Sequence, residues 1–133
     1  MAYHVVDPED VAPAADYPCD RRSIAEATGL STVAAAVYEL DPGEQLARSY
    51  HYHEQREELF YVLAGTLAVE TPEGEYEVPA GSVFVVTPDS PIRPYNPDDA
   101  DGSVRVFGVG APQYDIGRSH DDTADKQRDD ADA

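Results

Sequence analysis

Cysteine and basic residues are scarce in this chain of 133 residues, and each shortage removes a class of function. A single cysteine, Cys19, leaves no internal disulfide and no zinc site built from cysteine pairs, and it fits a reducing, cytoplasmic compartment. Nine basic residues, with Lys126 the only lysine, stand against 27 acidic ones, for a formal net charge of −18. Such a surface repels a phosphate backbone, so no nucleic-acid partner is expected. No run of about 18 apolar residues is present, so no membrane span is expected. Met1 to Asp7 carries neither a basic flank nor an apolar core, and a secretory leader is not expected. A glycine-rich phosphate loop and a Ser/His/Asp nucleophile pattern are also missing.

The charge has a physical cost. Self-repulsion on this scale destabilises a compact chain in dilute buffer, and at 1 M salt the screening length falls to about 3 Å, which removes most of it. The acids run the whole length of the chain and are not gathered in one tail. This acid-rich, lysine-poor character resembles that of proteins from salt-accumulating halophiles.

The length fits one domain that removes about two-thirds of its unfolded surface from water. Residues 1–32, with Pro8, Pro13 and Pro18 among acids and alanines, read as an N-terminal arm and short helix packing on a strand-rich body. Asp20 is positioned to cap a helix over Arg21–Thr28, with Gly29 ending it. Residues 33–112 read as strands and turns at short, regular intervals. The expected strands are Val33–Leu40, Leu46–His53, Glu58–Leu63, Thr66–Thr71, Glu75–Val78, Ser82–Thr87, Ile92–Asn96 and Ser103–Val109. Turn chemistry separates them at Asp41-Pro42-Gly43, Ala64-Gly65, Thr71-Pro72-Glu73-Gly74, Pro79-Ala80-Gly81 and Pro88-Asp89-Ser90-Pro91. With no long helix between strands, the fold class is all-β, an antiparallel sandwich or barrel. Residues 113–133 form an acidic segment, and from Ser119 on the absence of apolar residues in any period predicts disorder.

One stretch carries chemistry. His51 and His53 are two apart, so on a strand they share a face, and both imidazoles can turn to one ion at about 2.0–2.1 Å. The polar turn Glu54-Gln55-Arg56-Glu57 can return the chain so that Glu58 faces the same ion. With Glu58 inward, Phe60 and Val62 also point in, while Leu59, Tyr61 and Leu63 point out. Both faces of that strand are apolar, so its outer face is expected to be covered by a sheet, the arm or another subunit.

Gly43, His51, His53, Glu58 and Gly65 together resemble the first motif of the cupins, small β-barrels (double-stranded β-helices, or jelly rolls) that hold a metal ion in the barrel mouth. The pattern His-x-His, four residues, Glu, six residues, Gly is met; Gly43 and His51 are separated by seven residues where the family has five. The second motif runs from Gly81 to Asn96 with matching spacing but altered residues. Thr87 stands for the usual Pro, Asp89 for Gly, and Ile92 for the histidine that would be the fourth ligand. The match covers about Leu40 to Val109.

The resemblance implies a mononuclear divalent-metal site (iron, manganese, zinc or nickel) at His51, His53 and Glu58, binding or converting a small molecule. Two histidines and a carboxylate are the ligand set of non-haem iron oxygenases, and zinc or manganese accepts them too. The alternative takes Ile92 at face value: a metal-free small-molecule binder or assembly barrel. The resemblance and the outward row of Leu59, Tyr61 and Leu63 imply a homodimer. Glu57 is the rival carboxylate, and Arg48 and Arg93 are candidates for a substrate carboxylate or phosphate. Tyr61 and Tyr95 could line the mouth, whereas Tyr50 and Tyr52 lie opposite the histidines. Cys19 in the arm and His120 in the tail carry no expected role.

Overall fold

The computed structural model describes residues 1–115, 117–120 and 129–130. In chain order the elements are β1 (Asp20–Ser23), α1 (Ile24–Thr28), β2 (Ala34–Leu40), β3 (His51–His53), β4 (Glu57–Ala64), β5 (Thr66–Thr71), β6 (Gly74–Pro79), β7 (Val83–Val86), β8 (Arg93–Tyr95), β9 (Val104–Ala111), β10 (Gly117–Ser119) and β11 (Asp129–Asp130). Every strand pair is antiparallel. The strands order as a five-stranded sheet β1-β2-β9-β4-β7 and two three-stranded sheets, β11-β10-β3 and β6-β5-β8.

The alternation read in the sequence is the alternation of burial. In β4, Glu58, Phe60 and Val62 are buried while Leu59, Tyr61 and Leu63 are exposed. Leu40, Val62, Leu67, Val69, Val104 and Val106, drawn from both the large sheet and the β5–β6 hairpin, meet in one buried cluster. Each such aliphatic side chain contributes about 1.5–3 kcal/mol by leaving water. Gly65 turns β4 into β5 in the left-handed region (φ 77°), and a Cβ there would stand 2.7 Å from the Ser103 carbonyl oxygen, so glycine is required on two counts.

Three expectations need correction. Asp20 does not cap a helix: Asp20–Ser23 is a strand paired with Ala36–Glu39, and the Ser23 hydroxyl caps the shorter α1 by accepting from the Glu26 amide. Both residues have cap chemistry, and sheet pairing decides between them. Leu46–His53 is not one strand, because only His51–His53 pairs regularly with a neighbour. The segment beyond residue 112 is not wholly apart from the barrel either. Gly117 and Ser119 pair with His53 and His51, the His120 amide donates to the Tyr50 carbonyl, and Asp129–Asp130 pairs with β10. Backbone hydrogen bonding needs no apolar period, so composition could not signal it. The rest of the expected disordered tail lies outside the described residues.

Candidate metal centre

β3 and β4 carry the site. His51 and His53 alternate with Tyr52 on β3 and are buried to 3% and 4% exposure; Glu58, one residue into β4, is buried to 7%. The three offer ligand atoms that all lie within 4.8 Å of one another. Ligands at about 2.0–2.2 Å from one ion stand at most about 4.4 Å apart, so small side-chain rotations close the site.

The histidine tautomers follow from their acceptors. His51 Nδ1 lies 3.0 Å from the Ser49 carbonyl oxygen and His53 Nδ1 lies 3.1 Å from that of Asp115. Carbonyls only accept, so each Nδ1 carries the hydrogen and each Nε2 presents a lone pair, the arrangement that orients metal-ligating histidines. His51 Nε2 is buried with no hydrogen-bond partner. A buried nitrogen left so is costly unless something fills its place.

Electrostatics at the site pull in opposite directions. Burial first, then the Arg56 and His51 charges, push His53 down to about 4, with Asp115 opposing. Burial pushes Glu58 up, while His51 and Arg56 pull it back. Arg56, read in the sequence as part of a polar turn, is buried beside the site. Its Nη1 stands 3.6 Å from Glu58 Oε2 and 3.4 Å from His53 Nε2. Its Nε donates to the Pro112 carbonyl at 3.1 Å, and its Nη2 donates to that of Gln113. Gly110 makes room for it, since a Cβ there would lie 2.7 Å from Arg56 Cδ. Asp115 completes the frame, its Oδ2 accepting from the Gln55 and Arg56 amides at 2.8 Å each. Arg56 and Asp115 had no sequence signal, because their partners lie 56 to 60 residues away.

The other sequence candidates separate. Ile92 is buried and pairs with His51. Glu57 is exposed on the outer face. Arg48 lines a cavity of about 360 Å³ that Arg56 and Glu58 also line. Arg93 is on the surface, 2.7 Å from Glu70 and stacked on Tyr95. Tyr61 points outward, Tyr50 packs on His120, and Cys19 is buried in the core. Asp89, in the place of the second-motif glycine, adopts φ 63°, so it takes the left-handed conformation that glycine takes freely. Asn96, which ends that motif, is buried and donates to the carbonyls of Leu40 and Gly102, tying three segments together.

The family model described as Cupin domain matches residues 36–108. No curated protein matches the chain. Among solved structures, a sugar phosphate isomerase from a cupin superfamily of Silicibacter pomeroyi aligns with TM-score 0.68 at 21% identity, over 78% of this chain and 66% of that one. The chain thus spans just under two thirds of that isomerase. The polyketide cyclase RemF of Streptomyces resistomycificus aligns with TM-score 0.70 at 21% identity, over 86% and 82% of the two chains. A predicted oxalate decarboxylase of Thermotoga maritima aligns with TM-score 0.68 at 18% identity, over 82% and 99%. Identities this low establish a shared fold, not a shared reaction. Since the family model spans over half of the chain and the same antiparallel barrel recurs in these structures, the protein belongs to the cupin domain family.

Proposed function

We propose that His51, His53 and Glu58 hold one divalent metal ion and that the barrel binds a small oxygen-bearing molecule beside it. One observation carries the reading: both imidazoles are fixed through Nδ1 to backbone carbonyls, the three side chains offer ligand atoms within 4.8 Å of one another in one buried cluster, and the Nε2 of His51 has no hydrogen-bond partner. Bound there, the ion supplies Lewis-acid polarisation of a chelating oxygen, and iron would add dioxygen chemistry. The residues supply the rest: Ser49 and Asp115 hold the imidazoles, Glu58 gives the anionic charge, and Phe60 and Val62 anchor β4 in the apolar core. Calorimetric titration with manganese, iron(II) and zinc of protein purified without chelator or nickel resin tests it. One-site binding lost in His51→Ala and His53→Ala is expected; no binding by the parent chain overturns it.

A second reading has its own observation. The Arg56 guanidinium already sets a positive charge against His53 Nε2 and Glu58, and Ile92 stands where the family has a fourth ligand. In that case the barrel is a metal-free small-molecule binder. Two further proposals concern the setting. The exposed row of Leu59, Tyr61 and Leu63 is continued on β7 by Val85 and Val83, which pair with Leu59 and Tyr61, and this apolar sheet face supports a homodimer. The lone, buried thiol of Cys19 supports a cytoplasmic location.

A further inference from the structure

Two apolar segments of this chain face water, and they match one another. Met1, Tyr3 and Val5 alternate with Ala2 and His4, the period of a strand, and all three stand exposed. β7 is the outermost strand of the five-stranded sheet, and its Val83 and Val85 are exposed beside Tyr61 and Leu59, their cross-strand partners. Neither Met1–Val6 nor Ser82–Thr87 contains an acid, in a chain where 27 of 133 residues are acidic. These two segments can approach without the repulsion that the net charge imposes elsewhere.

The edge of β7 is open. Val62 donates to the Ser82 carbonyl at 3.0 Å, and the alternation of an antiparallel ladder then turns the amides and carbonyls of Val83 and Val85 away from β4. Among the described residues no strand pairs with β7 on that side. Edge strands are commonly blunted by charge or proline, and Val83–Val86 has neither. A cleft of about 360 Å³ is lined by Phe84, Val85 and Val86 together with Pro72 and Tyr76 of the β5–β6 hairpin. An extended segment added to such an edge gains main-chain hydrogen bonds and seats alternate side chains beside it. Met1–Val6 has no proline, so every amide it offers from Ala2 on can donate.

The arm cannot reach its own edge. It is tied to the far side of the sheet, where Arg22 of β1 donates to the carbonyls of Pro8, Glu9 and Val11 at 3.4, 3.3 and 3.0 Å. Four strand spacings of about 4.8 Å, roughly 19 Å in all, separate β1 from β7, and an added strand lies one spacing further. From Asp7 to Tyr3 a fully extended chain spans only about 13 Å. A second copy has no such limit. Buried area points the same way. A fully covered aromatic side chain brings at most about 250 Å², so Leu59, Tyr61, Leu63, Val83 and Val85, each about half exposed, bring at most about 600 Å² per copy. A standard interface takes about 800 Å² from each partner, and an arm with Met1, Tyr3 and Val5 supplies the difference.

We infer that two copies of this chain exchange arms, Ala2–Val6 of each adding as a strand to the free edge of β7 in the other, with Tyr3 and Val5 beside Val83 and Val85. The inference deepens the proposed homodimer and rests on it. Neighbouring strands bring opposed Cα atoms to about 4.5–5.5 Å, within the span of a disulfide. The test therefore pairs Tyr3→Cys or Val5→Cys with Val83→Cys or Val85→Cys, in the full chain carrying Cys19→Ala, with each single variant as control. Mild oxidation in high salt is expected to give a disulfide-linked dimer in at least one of the four pairs and in no control. Deletion of residues 1–6, an exposed segment whose loss leaves the core intact, is expected to weaken the dimer in sedimentation by about tenfold or more. It is also expected to speed hydrogen exchange at the Val83 and Val85 amides by about tenfold or more. A link formed within one chain, no link in any of the four pairs, or a deletion that leaves sedimentation and exchange unchanged overturns the inference. If the parent is still a dimer in those cases, the apolar face alone holds it and the homodimer stands. A parent that sediments as a monomer overturns both, and leaves the edge to a different partner.

Discussion

Ile92 and His51 exchange both backbone hydrogen bonds, the Ile92 amide donating to the His51 carbonyl at 2.9 Å and the His51 amide to the Ile92 carbonyl at 3.1 Å. Directly opposed residues of an antiparallel pair send their side chains to the same face, about 5 Å apart at Cβ. Ile92 therefore stands beside His51 at the register of the family's fourth ligand. Ile92→His should raise affinity for manganese or zinc by about tenfold or more, since even outer contacts at metal sites carry factors of that size. It should also cost about 1–3 kcal/mol in the metal-free protein, where an imidazole replaces a packed aliphatic side chain. Parallel calorimetry and urea unfolding measure the two effects; no gain in affinity would show that the pairing does not aim residue 92 at the ligands.

Arg56 separates the two readings of the site. With the guanidinium gone, Glu58 is a buried carboxylate without the cation that faces it, and breaking such a pair costs about 3–5 kcal/mol. Under the metal reading, Arg56→Met should bind divalent ions more tightly than the parent, because a competing cation has been removed, and saturating zinc should restore its lost stability. Under the metal-free reading, zinc leaves the melting temperature of the variant unchanged. Thermal unfolding with and without zinc decides.

The legible parts of the fold are those where local chemistry and tertiary pairing agree. Thr66–Thr71 matches β5 residue for residue, because Val69 and Leu67 must face the core and Pro72-Glu73-Gly74 closes a tight hairpin. His51, His53 and Glu58 were legible for a similar reason: strand parity alone puts the pair on one face, and a short turn returns the carboxylate. What the sequence hid is held by distant backbone. β1 exists because β2 offers it an edge, and β10 has no apolar side chain, only backbone pairing with β3 and β11 and the contact of Arg118 with Glu54. Arg56 looks like any turn arginine until the carbonyls of Pro112 and Gln113 draw it inward.

The outer face of β4 and β7 predicts assembly. Leu59 is 48% exposed and its cross-strand partner Val85 is 63% exposed, an apolar pair that a monomer leaves in water. Sedimentation in high salt should show a dimer at micromolar concentration. Val85→Asp should convert it to a folded monomer, because the side chain contributes nothing to the core. A parent chain that sediments as a monomer removes the proposal.

Salt should stabilise the fold. A net charge of −18 on a small domain repels itself over the Debye length, which shrinks from about 10 Å at 0.1 M to about 3 Å at 1 M. The melting temperature is expected to climb steeply over that range of sodium or potassium chloride, and to climb less in variants with surface acids such as Glu73 or Asp99 replaced by Asn or Gln. A flat series would show that the acids are offset by pairing within the fold.

Cys19 sets an alkaline limit. Burial first, then the charges of Glu44 and Asp20, push its thiol from about 9 up to about 12, with Arg21 opposing. The Sγ lies 3.9 Å from the Leu46 carbonyl, in the core under the arm. The folded state thus keeps a proton that the unfolded chain releases above about pH 9. Fewer protons on the unfolded chain mean that stability from this group is complete below pH 9 and is lost as pH rises toward 12. Native protein at pH 8 should resist thiol reagents, and urea should expose one reactive thiol per chain. Tyr38 is raised as well and adds to the alkaline loss, so the thiol's share is read from the difference between parent and Cys19→Ala. That difference should be constant below pH 9 and shrink above it, because the variant has no proton to lose at this position. Equal slopes for parent and variant above pH 9, or ready labelling of the native thiol at pH 8, would show that the arm opens and wets the core at Cys19.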